Sequence, residues 1–156
     1  MITGRREAKV LELGYTLPTA PPPAAIYLPY MKTGSQLWVA GQIAMSDGIL
    51  LAEGRVGAEV SLERARQCAE QCALNLLAQV KAAVGGLDEV VQVVKLNVFV
   101  ASTPTFTEQH LVANGASELF GEIFGTQGAH ARSAVGVAVL PLNSPVEIDA
   151  VFELKV

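Results

Sequence analysis

Charged residues are scarce in this sequence, at 17% of its 156 positions, and they form no cluster. The eleven Lys and Arg residues are scattered and the net charge is −4, so the basic patch typical of nucleic-acid-binding proteins is missing. No window approaches the roughly 18 unbroken apolar residues that a membrane-spanning helix needs. No apolar signal segment follows the N-terminus. We therefore expect a cytoplasmic protein that binds neither nucleic acid nor a membrane.

Cysteine and the common catalytic motifs are also scarce. Cys68 and Cys72 are the two cysteines, four residues apart in a predicted helix, and without a nearby histidine they are better explained as core-filling thiols than as metal ligands. His110 and His130 have no nucleophile or acid cluster around them, so each is interpreted as structural or solvent-facing. GxSxG, P-loop and GxGxxG motifs are absent. The sequence thus predicts no metal and no cofactor.

Hydrophobic residues, by contrast, make up 51% of the chain, and the mean hydropathy is +0.37. This composition predicts one domain over residues 1–156 with a sizeable core, with residues 1–14 as an N-terminal extension. The surplus apolar surface favours a subunit interface.

The hydrophobic pattern predicts the order strands, helix, strand, helix, strands. That order predicts an α+β fold, with a mixed sheet and both helices packed on one of its faces. No third helix is predicted to cover the other face, so a neighbouring subunit is the natural cover. The predicted elements are an extended segment over Leu17–Tyr30, a hairpin of "SQLWVAGQIAM" and "ILLAEGRVG", a helix from the Ser61 cap to Gly85, a strand over Glu89–Ala101, a helix from Thr103 and Pro104 to Gly125, and the strands "SAVGVAVL" and "VEIDAVFELKV". Gly115, inside the second helix, is interpreted as a close approach of two backbones.

Two charged residues of the C-terminal third are candidates for chemistry. Arg132 opens an uncharged strand, where its guanidinium can bind a carboxylate bidentately, or it can be a solvated strand end paired with a surface acid. Glu147 begins the next strand and can exchange protons with a water if apolar walls raise its pKa, or it can form the polar face of the strand with Asp149. A short turn between antiparallel strands would bring Arg132 and Glu147 together only in the right register.

Four stretches of the chain carry a resemblance to a known family. The stretches "PPPAAIYLPY", "LWVAGQIAMSDG", "VKLNVFVAST" and "ARSAVGVAVLPLNSPVEIDAVFEL" resemble, in consistent order over about residues 15 to 154, the reactive intermediate deaminase (Rid) family, also called the YjgF or endoribonuclease L-PSP family. The resemblance implies a chorismate-mutase-like fold and a homotrimer with pockets at its subunit interfaces. It also implies hydrolysis of reactive imines and enamines, such as 2-aminoacrylate and 2-iminopropionate, to 2-keto acids and ammonia, without a metal or organic cofactor.

The resemblance also implies roles for individual residues. Arg132 matches the family's carboxylate-binding arginine, and Glu147 matches the acid that positions or activates water. Tyr30 matches a pocket tyrosine, and Gly41 matches a glycine whose backbone lines the pocket. Asn114 falls near the position of a pocket asparagine, beside an apparent local insertion. A small carboxylate-bearing metabolite is thus the implied ligand.

At three positions the chain departs from the family pattern. Ala40 replaces a small hydroxyl residue, Ala134 replaces a common cysteine and Gly136 replaces a common glutamate. The pocket would keep its anion-binding arginine but lose polarity, so a metabolite-binding or regulatory trimer without catalysis is the alternative to an enzyme. The acidic charge disfavours the ribonuclease role that one family name implies.

Overall fold

A computed structural model of the chain describes residues 4–22 and 26–156. Residues 1–3 of the predicted N-terminal extension and residues 23–25 of the predicted extended segment lie outside the described residues. The helices are α1 (Arg5–Glu12), α2 (Leu62–Val84) and α3 (Gln109–Phe124), with short 3₁₀ turns at Leu87–Glu89, Gly125–Gly128 and Pro141–Asn143; the strands are β1 (Tyr30–Thr33), β2 (Gln36–Ile43), β3 (Met45–Ser46), β4 (Ile49–Leu50), β5 (Val90–Ala101), β6 (Ala131–Val137) and β7 (Val146–Leu154).

Five strands form a mixed sheet in the order β1-β2-β7-β5-β6. All neighbours are antiparallel except β5 and β6, which run parallel. Alternate residues of the central strands, such as Leu96, Val98 and Ile148, are fully buried beneath α2 and α3. The predicted α+β class, with two helices packed on one face of a mixed sheet, is confirmed.

The opposite face of the sheet carries large side chains that remain accessible. Trp38 is 52% exposed and Val135 is 46% exposed. Lys95, Asn97 and Asp149 alternate with core residues along β5 and β7 and point to this same face. A subunit covering this face stays a prediction.

Local chemistry explains α2 and its contact with α3. The Ser61 hydroxyl accepts a hydrogen bond from the Arg64 amide, and Gly85 ends the helix in the left-handed conformation (φ 90°), as predicted. At Gly115, a Cβ would lie 2.3 Å from the carbonyl oxygen of Arg66. The predicted close approach at Gly115 is therefore confirmed, between α3 and α2.

Three predicted elements differ from the structure. α3 begins at Gln109 instead of Thr103, because the Thr103 amide donates to Val56 O and the Thr103 carbonyl closes a turn with Phe106. Of the predicted hairpin between "SQLWVAGQIAM" and "ILLAEGRVG", only the short strands β3 and β4 pair with each other. The longer strand β2 instead forms a hairpin with β1 across Gly34 (φ 59°). β6 covers Ala131–Val137 and does not pair with β7, because β5 lies between them.

Helix α1 occupies most of the predicted N-terminal extension, where no helix was expected. Its cap comes from far along the chain: the Asp88 carboxylate accepts hydrogen bonds from the amides of Arg5 (2.8 Å) and Arg6 (3.1 Å). The Arg6 guanidinium stacks on Phe124 and donates to the carbonyls of Leu87 and Val90. Contacts distant in sequence therefore hold this eight-residue helix.

The cysteines and the helices bear on two further predictions. Cys68 and Cys72 are fully buried under the sheet, as predicted, and burial raises the pKa of Cys68 to about 11.

No helix among residues 4–22 and 26–156 is long and apolar enough to cross a membrane. The cytoplasmic location stays a prediction.

Candidate functional site

Arg132 lies on β6, which is an edge strand of the sheet. It pairs with Leu96 of β5 in the parallel register, so its side chain leaves the sheet on the face that α2 and α3 cover. The guanidinium extends over α3 and is partly buried there. The alternative of a solvated strand end paired with a surface acid is not what the structure shows, because all the partners of this guanidinium among the described residues are neutral.

The partners of Arg132 use three of its five N–H groups. Nη1 donates to Asn114 Oδ1 (2.8 Å) and to Ser117 Oγ (3.0 Å), and Nη2 donates to the carbonyl oxygen of His110 (3.3 Å). Nε–H and the second Nη2–H have no partner among the described residues. A guanidinium with two free N–H groups is suited to bind a carboxylate side-on.

His130 continues this network behind Arg132. Its Nδ1 lies 2.6 Å from Gly128 O and its Nε2 lies 2.9 Å from Ser117 Oγ. Because a carbonyl oxygen can only accept, Nδ1 carries the proton and Nε2 accepts from the Ser117 hydroxyl. Burial lowers the pKa of His130, and the nearby positive charge of Arg132 lowers it further.

Glu147 lies on β7, on the face opposite the helices. It pairs with Ile43 of β2 and with Phe99 of β5. The register of β2 shifts between Val39 and Gln42, and Gly41 in this bulge passes directly under the Glu147 side chain. A Cβ on Gly41 would lie 2.7 Å from Glu147 Oε1, so only glycine leaves room for the carboxylate in this position.

The environment of Glu147 favours its neutral form. Partial burial raises the pKa of Glu147, and the negative charge of Asp149, two residues along the strand, raises it further. Asp149 itself accepts a hydrogen bond from Asn97 Nδ2 (2.7 Å). A carboxyl group with a raised pKa is suited to general acid and base chemistry.

A cleft of about 450 Å³ lies on the open face of the sheet, and Gly41 and Asp149, which neighbour Glu147, line it, whereas Glu147 itself does not. Tyr30, from the start of β1, and the β2 bulge also contribute to the lining. The lining includes Tyr30, Trp38, Ala40, Gly41, Asn97 and Asp149. Ala40 contributes no hydroxyl to it, as the sequence indicates.

The candidate site residues therefore form two half-sites. The first half-site is Arg132 with Asn114 on the helix-covered face, and the second is Gly41 and Glu147 on the open face, with Tyr30 at the neighbouring edge of the sheet. Tyr30 pairs with the core residue Val39 and packs against the core, and it also lines the cleft. From the sequence, a short turn between adjacent antiparallel strands was considered as a way to bring Arg132 and Glu147 together. The structure does not have this arrangement, because β5 lies between β6 and β7. Within one chain the guanidinium and the carboxylate do not meet.

The departures at Ala134 and Gly136 lie beside the first half-site. Both follow Arg132 at alternate positions of β6, so they share its face. A Cβ on Gly136 would lie 2.8 Å from Ser102 Oγ and 2.9 Å from Gln109 Nε2. The Gln109 amide thus occupies the space that a side chain at position 136 would take.

Sequence reasoning missed Ser117 and Gln109 in this region, and it interpreted His130 only as structural or solvent-facing. Ser117 follows Asn114 by three residues on α3, a spacing that places both on one helix face and could have revealed it. His130 and Gln109 gave no comparable signal, because their contacts depend on the path of the chain between α3 and β6. Among the described residues, no group of three or more His, Cys, Asp or Glu side chains could hold a metal ion.

Comparison with known proteins gives consistent matches along the chain. The model of the YjgF/chorismate mutase-like family matches residues 7–154. Protein TCP17 of Trypanosoma cruzi is 48% identical over 154 residues, which cover 98% of this chain and 96% of that protein. The crystal structure of Atu1372 from Agrobacterium tumefaciens, a protein of unknown function, is 50% identical with a TM-score of 0.91, covering 96% of this chain and 92% of that one. A 2-iminobutanoate/2-iminopropanoate deaminase of Dermatophagoides farinae is 31% identical over 138 residues, covering 88% of this chain and 93% of that protein.

Proposed function

The chain belongs to the YjgF/chorismate mutase-like family, and we propose that it hydrolyses 2-imino acids, and the enamines in equilibrium with them, to 2-keto acids and ammonia. The observation that carries this proposal is the Arg132 guanidinium, which Asn114, Ser117 and the His110 carbonyl hold with two N–H groups free. Such a group selects a small molecule with a carboxylate. The similarity to a deaminase that acts on 2-imino acids agrees with this substrate class.

The complete site forms between subunits in this proposal. Each chain supplies Arg132 and Asn114 from the α3 side of edge strand β6, Gly41 and Glu147 from the open sheet face, and Tyr30 from edge strand β1 beside the cleft. A homotrimer would bring the first half-site of one subunit to the second half-site of its neighbour around a threefold axis. The exposed Trp38 and Val135 on the open face support burial there by another copy.

The proposed reaction needs only water and these side chains. Arg132 of one subunit binds the substrate carboxylate through Nε–H and Nη2–H. Glu147 of the neighbouring subunit takes a proton from a water molecule, whose oxygen bonds to the carbon of the protonated imine and gives a neutral amino alcohol. The protonated Glu147 then gives this proton to the nitrogen. As the C–N bond breaks, the Glu147 carboxylate takes the hydroxyl proton and passes it to solvent, so ammonia and the 2-keto acid leave. The raised pKa of Glu147 suits it to these proton transfers.

A metabolite-binding trimer without catalysis is the second candidate. It is favoured by the missing polar groups at Ala40 and Ala134, which leave the substrate with fewer hydrogen-bonding partners. The two candidates share the Arg132 half-site and differ only in turnover.

Imine hydrolysis by the purified protein tests the proposal directly. An amino-acid oxidase generates 2-iminobutanoate in the assay, and the rate of imine consumption is followed with and without the protein. We expect acceleration by the wild type, almost none by Arg132→Ala, and full acceleration by the control Arg64→Ala, whose side chain lies exposed on α2. Equal rates of imine consumption with Arg132→Ala and with the wild type would refute the proposed imine hydrolysis at Arg132. Binding of the ligand by the wild type without turnover would instead establish the second candidate.

A further inference from the structure

Ser117 and His130 form a directional hydrogen-bond chain that ends on Arg132. The proton on His130 Nδ1 faces Gly128 O, the Ser117 hydroxyl donates to His130 Nε2, and Ser117 Oγ accepts from Arg132 Nη1 (3.0 Å). While the imidazole is neutral, each of these hydrogen bonds can run in only one donor-to-acceptor direction. The second Nη1 proton goes to Asn114 Oδ1, so both protons of this nitrogen are fixed.

The surroundings of His130 hold the ring in one orientation. Phe120 of α3 packs edge-on against the imidazole, with ring centroids 6.4 Å apart, and Gly128 belongs to the 3₁₀ turn that leads into β6. Within the described part of the chain, Arg132 is the charged group that acts on the imidazole. Ser117 therefore lies between two groups that would both be cations if His130 were protonated.

We propose that Ser117 and His130 are positioning residues that hold Arg132 in its carboxylate-binding orientation, and that protonation of His130 releases this hold. The inference rests on the proposed function of Arg132 as the carboxylate-binding group. A protonated imidazole carries N–H on both nitrogens, so the Ser117 hydroxyl loses its acceptor and its oxygen faces two cationic donors, His130 and Arg132. The oxygen has lone pairs for both donors, but the two like charges repel each other across it. The Arg132 head group is then displaced from Ser117, and carboxylate binding weakens at acid pH.

The direction of this pH effect distinguishes positioning from simple electrostatics. A positive charge added near Arg132 would, by its field alone, strengthen the binding of an anion. Weaker binding on protonation of His130 therefore requires that the geometry of Arg132 has changed. Because burial and Arg132 both lower the pKa of His130, the change falls below the ordinary histidine pKa of about 6.5.

The binding test uses 2-ketobutyrate as the probe and isothermal titration calorimetry at pH 8 and pH 5.5. All variants carry Glu147→Gln as background, so that titration of Glu147 does not contribute. At pH 8 we expect Ser117→Ala and His130→Phe to raise the Kd about three- to tenfold, the scale of one lost hydrogen bond between neutral groups. His130→Gln, whose amide oxygen can still accept from Ser117, should stay within about twofold of the parent.

At pH 5.5 the parent should bind more weakly than at pH 8, and His130→Gln should not. Ser133→Ala is the matched control, because this neighbouring serine bonds to Lys95 instead of Arg132. Unchanged affinities in Ser117→Ala and His130→Phe, or stronger binding by the parent at pH 5.5, would overturn the inference.

Nuclear magnetic resonance of the ligand-free protein separates this inference from the proposed function. The ¹⁵N signals of His130 should show the Nδ1–H form, and the pKa of His130 should rise in Arg132→Ala because a neighbouring positive charge is lost. An Nε2–H form would overturn the inference even if 2-ketobutyrate binds. Failure of the parent to bind 2-ketobutyrate, with the expected His130 signals, would instead refute the carboxylate site on which both proposals depend.

Discussion

Arg132 and Glu147 lie two strands apart and on opposite faces of the same sheet. Arg132 pairs with the core residue Leu96, whereas Glu147 pairs with Phe99 and extends over Gly41 on the open face. Since side chains alternate between the two faces of a strand, no rotamer change brings these groups together within one chain. A site that uses both must take them from different subunits.

Mixing two inactive variants tests this division. Arg132→Ala subunits keep Glu147, and Glu147→Gln subunits keep Arg132, so some interfaces of the proposed trimer, once mixed, regain one intact copy of each. With random assembly from equal amounts, about one quarter of the interfaces are complete, so we expect about a quarter of wild-type activity. The measurement is imine hydrolysis after co-refolding, with each variant refolded alone as control. Activity that stays at the level of the separate variants would place both residues in one subunit's site.

The raised pKa of Glu147 links activity and stability to pH. Activity should fall as pH drops through this pKa, which lies above 4.5, because the carboxylate that accepts a proton from water is lost. Stability follows the opposite direction: a carboxyl group whose pKa is raised by folding makes the protein less stable as pH rises from its unfolded pKa through its folded pKa. Glu147→Gln should therefore raise Tm at pH 7, on the scale of about 2–4 °C per kcal/mol, and lose this advantage at pH 4. An equal Tm difference at both pH values would contradict the assignment.

Gly41→Ala should reduce activity without unfolding the protein. Its Cβ would lie 2.7 Å from Glu147 Oε1 and would displace the carboxylate from its place over the β2 bulge. We expect kcat to drop about tenfold or more, because misplacement by about 1 Å can cost about a hundredfold. The control is Gly121→Ala on α3, where a Cβ meets nothing within 4 Å and helix propensity predicts a gain of about 0.5–1 kcal/mol. Wild-type kcat in Gly41→Ala would show that this contact does not position Glu147.

Asp88→Ala should loosen α1. The Asp88 carboxylate caps the first turn of that helix through the amides of Arg5 and Arg6, and the N-cap residue Gly4 offers no side chain to replace it. The expected cost is about 0.5–2 kcal/mol of unfolding free energy, with faster amide hydrogen exchange confined to residues 5–12. Asp88→Asn keeps one acceptor oxygen and should lie between the wild type and Asp88→Ala. Unchanged exchange in all three proteins would show that α1 is held by packing alone.

The sequence pattern predicted the parts of the fold that depend on local rules. Ser61 and Gly85 mark the ends of α2 because capping needs only a hydroxyl and a residue tolerant of positive φ. The apolar residues at alternate positions of the predicted strand "VEIDAVFELKV", from Val146 to Leu154, are all buried, and Val151 on the other face is buried as well. α1 and the start of α3 were not predictable in this way, because Asp88 and Val56 fix them from distant positions.

The sequence by itself determined which chemical groups this protein has: one arginine at the start of an uncharged strand, an acid fifteen residues later, and a glycine, a tyrosine and an asparagine at matching positions of the family pattern. Only the tertiary structure decided how these groups are divided. Strand β5 lies between β6 and β7 and separates the two charges, and the strand registers place them on opposite faces. The turn from α3 into β6 brings His130 next to Ser117, behind Arg132. The physical reason is that strand order and face parity depend on non-local pairing, whereas residue identity and capping are local properties of the chain.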